Sequence, residues 1–172
     1  AGTGRVIFEK NADERRPVAS VTKIMTILLT LEAIDDGRVS ENDSVLVSPR
    51  ASGMGGSQVF LDANRSYKLS DLLKSVIVAS ANDAAVALAE HLCGAEEAFV
   101  RRMNERAAEL GLTNTHYVNC TGLPAEGHYT TARDVARLSA QLDAHPLYYT
   151  FSTIWMDELR HSSGRIKQLT KT

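Results

Sequence analysis

Cysteine is scarce. Cys93 and Cys120 are the only two in 172 residues, too few for a disulfide-stapled scaffold. The pair could join in an oxidising compartment, but Cys93 sits in an Ala/Leu-rich helical pattern and reads better as a small buried hydrophobe. The five histidines fall singly, with no H-E-x-x-H or comparable pairing, so no metal site is expected. Basic and acidic residues nearly cancel to a net charge of −2, which offers nothing to nucleic acid or to an anionic membrane surface. No apolar run reaches the length of a membrane span and no signal peptide opens the chain. The chain opens within a β-prone run, which suggests that residues upstream have been removed. Internal repeats and low-complexity segments are missing as well.

What is present is an ordinary soluble composition, 44% apolar and 23% charged, at a length that suits one domain or a domain plus a subdomain. The chain is organised around Pro17-Val18-Ala19-Ser20-Val21-Thr22-Lys23 and the apolar segment that follows, Ile24 to Ile34. Apolar residues at 24, 27, 28, 31 and 34 keep the helical period, and Met25, Leu29 and Ala33 fill most of the opposite face. This predicts a helix buried nearly all round, ended by Asp35-Asp36-Gly37.

At the head of that helix stand a hydroxyl and an amine, Ser20 and Lys23, three residues apart and so on one helical face. A serine is a poor nucleophile until a base takes its proton, and a lysine is a poor base while cationic. Burial would favour the neutral amine, and a helix N-terminus supplies N–H groups for developing negative charge. S-x-x-K alone is a pattern that chance supplies about once or less in such a chain. Its place behind a proline at the start of a buried helix favours a serine acyl-transfer centre with lysine as base.

The remaining chain reads as follows. Arg5 to Lys10 is a β-prone run and 11–14 a turn. Ser44 to Ser48 is a short strand or extended loop, and Pro49 to Ser57, with three glycines, reads as loop. Ser70 is expected to cap a helix running to Ser80, with Asp71 at its positive end. Ser80-Ala81-Asn82-Asp83 sets polar side chains between two apolar segments, where they must be paired or face a cleft. Asp83 is a candidate cap for a helix from Ala84 to Cys93, closed by Gly94. Glu96 to Leu110 is amphipathic, Thr113 to Pro124 irregular, and Thr131-Ala132-Arg133-Asp134 resembles a capping box. Arg165 to Thr172 could be an edge strand.

Ser20-Val21-Thr22-Lys23 matches S-x-x-K and Ser80-Ala81-Asn82 matches S-x-N, the first two motifs of the penicillin-recognising serine enzymes. A second S-x-N, Ser40-Glu41-Asn42, would lie about 20 Å from Ser20 at the far end of the helix and is set aside. Around the motifs, three stretches resemble low-molecular-mass penicillin-binding proteins, more narrowly the D-alanyl-D-alanine carboxypeptidases. These are Pro17 to Thr26, Ile77 to Glu90 and Gly127 to Asp134, and the loop Met54 to Leu61 fits the same family. The resemblance runs from about Arg5 to Thr172. It implies an α/β fold of the β-lactamase/transpeptidase type, a helical subdomain plus an antiparallel sheet. It also implies Ser20 as the acylated nucleophile, Lys23 as its base, Ser80 as the proton relay to the leaving amine and Asn82 as a substrate-binding residue. No cofactor is implied. The partners implied are the D-Ala-D-Ala end of peptidoglycan stem peptides and β-lactam antibiotics. The expected location is the outer face of the bacterial cytoplasmic membrane, with peripheral membrane association only through segments this chain lacks.

Two departures stand out. Thr121 precedes Gly122-Leu123 where the family often has histidine, and the third motif, K-T-G, is absent. Lys171-Thr172 resembles its start, but in the family a stretch of this look precedes the K-T-G strand. Residues 1–172 are therefore expected to be one transpeptidase-like domain cut before that strand, with an incomplete sheet, too little cover for the Ser20 helix and, as a fragment, impaired activity. Two alternatives differ in class. A class A β-lactamase-like hydrolase shares S-x-x-K but usually carries Ser-Asp-Asn and an E-x-x-L-N pattern not found here. A non-catalytic wall-binding relative would have no need of the intact Ser20/Lys23/Ser80/Asn82 set.

Overall fold

A computed structural model describes residues 4–172. After an extended arm, a 3-10 turn, Ala19–Thr22, leads into helix α1, Lys23–Asp35. The order then runs β1 (Ser44–Leu46), α2 (Pro49–Ser52), β2 (Ser66–Lys68), α3 (Leu69–Ala79), α4 (Asn82–Cys93) and α5 (Glu96–Glu109). A long irregular stretch precedes α6 (Ala132–Leu142), α7 (Pro146–Ser152), β3 (Met156–Arg160) and β4 (Ile166–Thr170). Strands β1 and β2 form one antiparallel pair, in the register Val45 opposite Tyr67, and β3 and β4 form another, with Glu158 opposite Gln168. Among the described residues these two ribbons are the only sheets. The result is a helical body with small antiparallel elements at its edges.

Helix α1 is the axis of the core. It packs against α3, α4, α5 and α6, and Met25, Leu28, Leu31 and Ala33 are sealed from solvent. Threonines break the apolar run without breaking the core. Thr30 Oγ1 donates back to Thr26 O at 2.8 Å and Thr26 Oγ1 donates to Cys120 O at 2.8 Å, so both buried hydroxyls are satisfied. Its neighbour α4 is equally apolar, with every residue from Asn82 to Ala89 buried. Small alanines at 84, 85, 87 and 89 let α3 and α5 come close. The ends of α1 and α4 are closed by Gly37 and Gly94, both left-handed.

Several local expectations are corrected. The β-prone run Arg5 to Lys10 is an extended arm and not a strand; a strand needs a partner, and among the described residues none lies beside it. Ile7 and Phe8 are accordingly 96% and 83% exposed. The glycine-containing stretch read as loop begins with the short helix α2, because Ser48 accepts from Ala51 N and Pro49 fits the first helical position. Ser70 lies inside α3, whose preceding residue is Lys68; β2 runs straight into the helix and leaves no room for a cap two residues later. Thr131 does cap α6, accepting from Asp134 N. Both cysteines are free thiols, Cys120 buried and Cys93 half-buried, and burial pushes both thiols up in pKa.

Candidate active site

Ser20 lies in the 3-10 turn and Lys23 is the first residue of α1, so the two are joined by a tighter coil than the single α-helix expected. Lys23 is only 2% exposed. Its Nζ lies 3.1 Å from Ser20 Oγ and donates to Thr121 O at 2.7 Å. Burial pulls the Lys23 pKa from 10.5 down to about 8, with the Cys120 thiol a smaller opposing influence. An amine near its pKa at mildly alkaline pH spends much of its time neutral. With one N–H held by the Thr121 carbonyl, the neutral amine can turn its lone pair to the Ser20 hydroxyl. The geometry suits proton transfer from Oγ to Nζ.

The surroundings of this pair come from a segment about 100 residues away. Asn119 Oδ1 accepts from Thr121 N, Thr121 Oγ1 and Gly122 N, while its Nδ2 donates to Leu123 O. Cys120 N donates to the buried Glu96 at 3.1 Å, and Glu96 also pairs with Arg50 at 2.7 Å. Residue 122 must be glycine: its φ is +84°, and a Cβ there would stand 1.8 Å from Ala19 O. Ala19 itself holds φ +43°, so the residue before Ser20 is kept in a conformation alanine seldom adopts. On the other side, Thr22 Oγ1 meets His128 Nε2 at 2.6 Å, and Val118 N donates to His128 Nδ1 at 3.0 Å. An Nδ1 that accepts means a neutral ring with its proton on Nε2, in keeping with burial lowering the His128 pKa.

Ser80 and Asn82 occupy the junction of α3 and α4. Ser80 ends α3 in the left-handed region at φ +52° and is half-buried. Among the described residues its hydroxyl makes no hydrogen bond, so the structure does not tie Ser80 to Ser20 or Lys23 as it ties those two to each other. Asn82 is 4% exposed; its backbone N donates to Ser57 O and its Nδ2 to Gly55 O, each at 2.7 Å. Asp83 is not the cap expected of it: α4 begins at Asn82, with Ala81 before it, so Asp83 lies inside the first turn. Its carboxylate is fully buried and accepts from Val59 N, Leu61 N and Ala84 N. Among the described residues no cluster of three or more His, Cys, Asp or Glu could hold a metal ion, and no helix is long and apolar enough to cross a membrane.

Thr121, Asn119 and Gly122 were not picked out from the sequence as site residues. Only the asparagine and glycine of an otherwise irregular segment hinted at a built turn there.

An apolar helix with a serine hydroxyl and a buried amine 3.1 Å apart at its head is an arrangement suited to acyl transfer by serine. Residues 1–171 match the family model of D-alanyl-D-alanine carboxypeptidase, peptidase S11, and the chain belongs to that family. It is 44% identical over 170 residues to the D-alanyl-D-alanine carboxypeptidase DacF of Bacillus subtilis, covering 99% of this chain and 44% of that protein. Identity to DacC of Escherichia coli is 41% over 146 residues, covering 81% of this chain and 36% of that one. The crystal structure of the carboxypeptidase DacD from Francisella tularensis superposes with a TM-score of 0.91 at 34% identity, over 98% of this chain and 40% of that one. Penicillin binding protein 5 from Haemophilus influenzae superposes at 0.88 with 31% identity, over 97% and 48%. The penicillin-binding fold class is therefore established, and this chain spans less than half the length of each of these relatives.

Proposed function

We propose that the full-length protein is a serine-type D-alanyl-D-alanine carboxypeptidase that removes the terminal D-Ala of peptidoglycan stem peptides, and that residues 1–172 lie within its catalytic domain. The observation that carries the reading is the buried Lys23 amine, lowered to about 8 and 3.1 Å from Ser20 Oγ. In this reading Lys23 Nζ takes the Ser20 proton as Oγ attacks the penultimate D-Ala carbonyl carbon. The Ser20 N–H donates to the oxyanion. Collapse of the tetrahedral intermediate breaks the peptide C–N bond, and Ser80 passes a proton to the departing D-Ala nitrogen. Asn82 hydrogen-bonds the substrate's backbone amide through its side chain. Water then cleaves the ester and returns the proton to Ser20.

The second oxyanion donor and the lysine that binds the terminal carboxylate belong, in this reading, to the K-T-G strand of the full-length protein. β-Lactams acylate Ser20 in place of the peptide, the site of action is the outer face of the cytoplasmic membrane, and membrane association is peripheral, through segments outside residues 1–172. The family match and the carboxypeptidase names of the relatives support this over a class A β-lactamase-like hydrolase.

Time-resolved labelling of the full-length protein with a fluorescent penicillin, followed by peptide mass spectrometry, tests the reading. A long-lived adduct on the peptide containing Ser20, lost in Ser20→Ala, is the expected result. Rapid turnover would move the assignment to a β-lactamase, and no adduct at all would move it to a non-catalytic relative.

A further inference from the structure

Asp83 has no obvious reason to be a buried carboxylate. It is 0% exposed, and among the described residues no cation pairs with it. An uncompensated charge of this kind is strongly disfavoured unless hydrogen-bond donors replace the lost water. Here backbone N–H groups do so: Val59 N reaches both carboxylate oxygens at 3.2 Å, Leu61 N reaches Oδ2 at 3.0 Å, and Ala84 N reaches Oδ1 at 2.9 Å. Only the last of these lies within α4. The other contacts reach back 22 and 24 residues and fasten a loop.

That loop is the one that holds Asn82. Gly55 O accepts Asn82 Nδ2 and Ser57 O accepts Asn82 N, each at 2.7 Å. A carbonyl only accepts, so Gly55 O takes one Nδ2 hydrogen, and among the described residues the second Nδ2 hydrogen and Oδ1 are left for a substrate amide. The loop has little freedom to do otherwise. Gly56 stands at φ +77° with a would-be Cβ 2.7 Å from Asn82 Nδ2, and Phe60, between the two amides that Asp83 grips, is held at φ +59°.

We infer that Asp83 is a positioning residue: by fastening the 55–61 loop to the start of α4, it makes that loop hold the Asn82 carboxamide in place for a substrate amide. The inference rests on the reading of Asn82 as a substrate-binding residue. It assigns Asp83 a share in recognising the amide that precedes the scissile bond, without contact between Asp83 and substrate.

The test measures acylation rate constants of the full-length protein with two β-lactams, one bearing an acylamido side chain and one lacking it. Asn82→Ala sets the scale, slowing the first more than the second. Asp83→Asn is expected to slow the acylamido compound about 10-fold, the size of one hydrogen bond to substrate, and to leave the other nearly unchanged. In the Asn82→Ala background it should add nothing. Gly56→Ala disturbs the same contact from the loop side, and should discriminate in the same sense if Asp83→Asn fails to fold. Equal slowing of both compounds by Asp83→Asn or, where that variant does not fold, by Gly56→Ala would overturn the inference, as would effects that multiply with Asn82→Ala. If instead Asn82→Ala itself treats the two compounds alike, the reading of Asn82 fails and the inference falls with it.

Discussion

The two polar clusters of the candidate site are built in opposite ways. Around Ser20 and Lys23 the reacting groups already touch: the amine is buried, bonded to Thr121 O and within 3.1 Å of the hydroxyl. Around Ser80 and Asn82 it is the framework that is satisfied. Ser57 O, Gly55 O and the Asp83 contacts fix the backbone, while the Ser80 hydroxyl and Asn82 Oδ1 are left without partners among the described residues. On the proposed function the first cluster is thus prepared for proton transfer before any substrate arrives, and the second is prepared to receive one. In that function, preorganisation of the first kind would lower the chemical barrier, whereas the second kind would serve recognition and the leaving group.

Substitutions in the full-length protein should separate the two. Lys23→Ala removes the base from the prepared cluster and should slow penicillin acylation by about 10⁴-fold, the upper range for general-base catalysis. Stopped-flow labelling at wild-type rate would remove lysine from that role. Ser80→Ala should cost less, about 10²-fold, and should weigh more heavily on peptide substrates, whose amine leaving group needs a proton. A loss as deep as that of Lys23→Ala would erase the distinction drawn above.

Gly122→Ala strikes the first cluster from behind, through Ala19. It should lower stability by roughly 1–3 kcal/mol from backbone strain and forced displacement, seen as a lower melting temperature with slower acylation. The last effect is that of pH. Because the amine must be neutral to act and its pKa is about 8, acylation should rise with pH through about 8 and then level. Stability carries the matching sign. The folded state binds fewer protons than the unfolded between about 8 and 10.5, so the wild type should gain on Lys23→Met across that window. The gain should be at most roughly 3 kcal/mol, measured by denaturant melts at several pH values.

Much of this architecture could be read from the chain. The period of residues 24–34 marked the central helix, and two short motifs marked Ser20, Lys23, Ser80 and Asn82, because each motif is local. What could not be read depends on distance along the chain. The partner of Lys23 is a backbone carbonyl 98 residues away, and a carbonyl has no sequence signature. Asp83 looked like a helix cap because the amides it holds at 59 and 61 are equally anonymous. Strand β2 is three residues long, too short for alternation to register, and β3 was passed over because its exposed face carries Met156 beside Glu158 and Arg160. The arm at 5–10 failed for the converse reason: β-propensity states that a residue suits a sheet and says nothing about whether a sheet is beside it.

The Lys23–Thr121 contact also sets an order of events during folding. It closes a loop of 98 residues, and such long-range contacts form late because their closure entropy must be met before they can stabilise anything. Ser20 and Lys23 leave the ribosome well before Asn119, Thr121 and Gly122 exist. Until those residues dock, the amine lies in water as an ordinary cation and the hydroxyl beside it is inert. In the proposed function a nascent or partly unfolded chain therefore carries the motif without the reactivity, and acylation of the full-length protein by a β-lactam would report completed folding of the segment around residue 121.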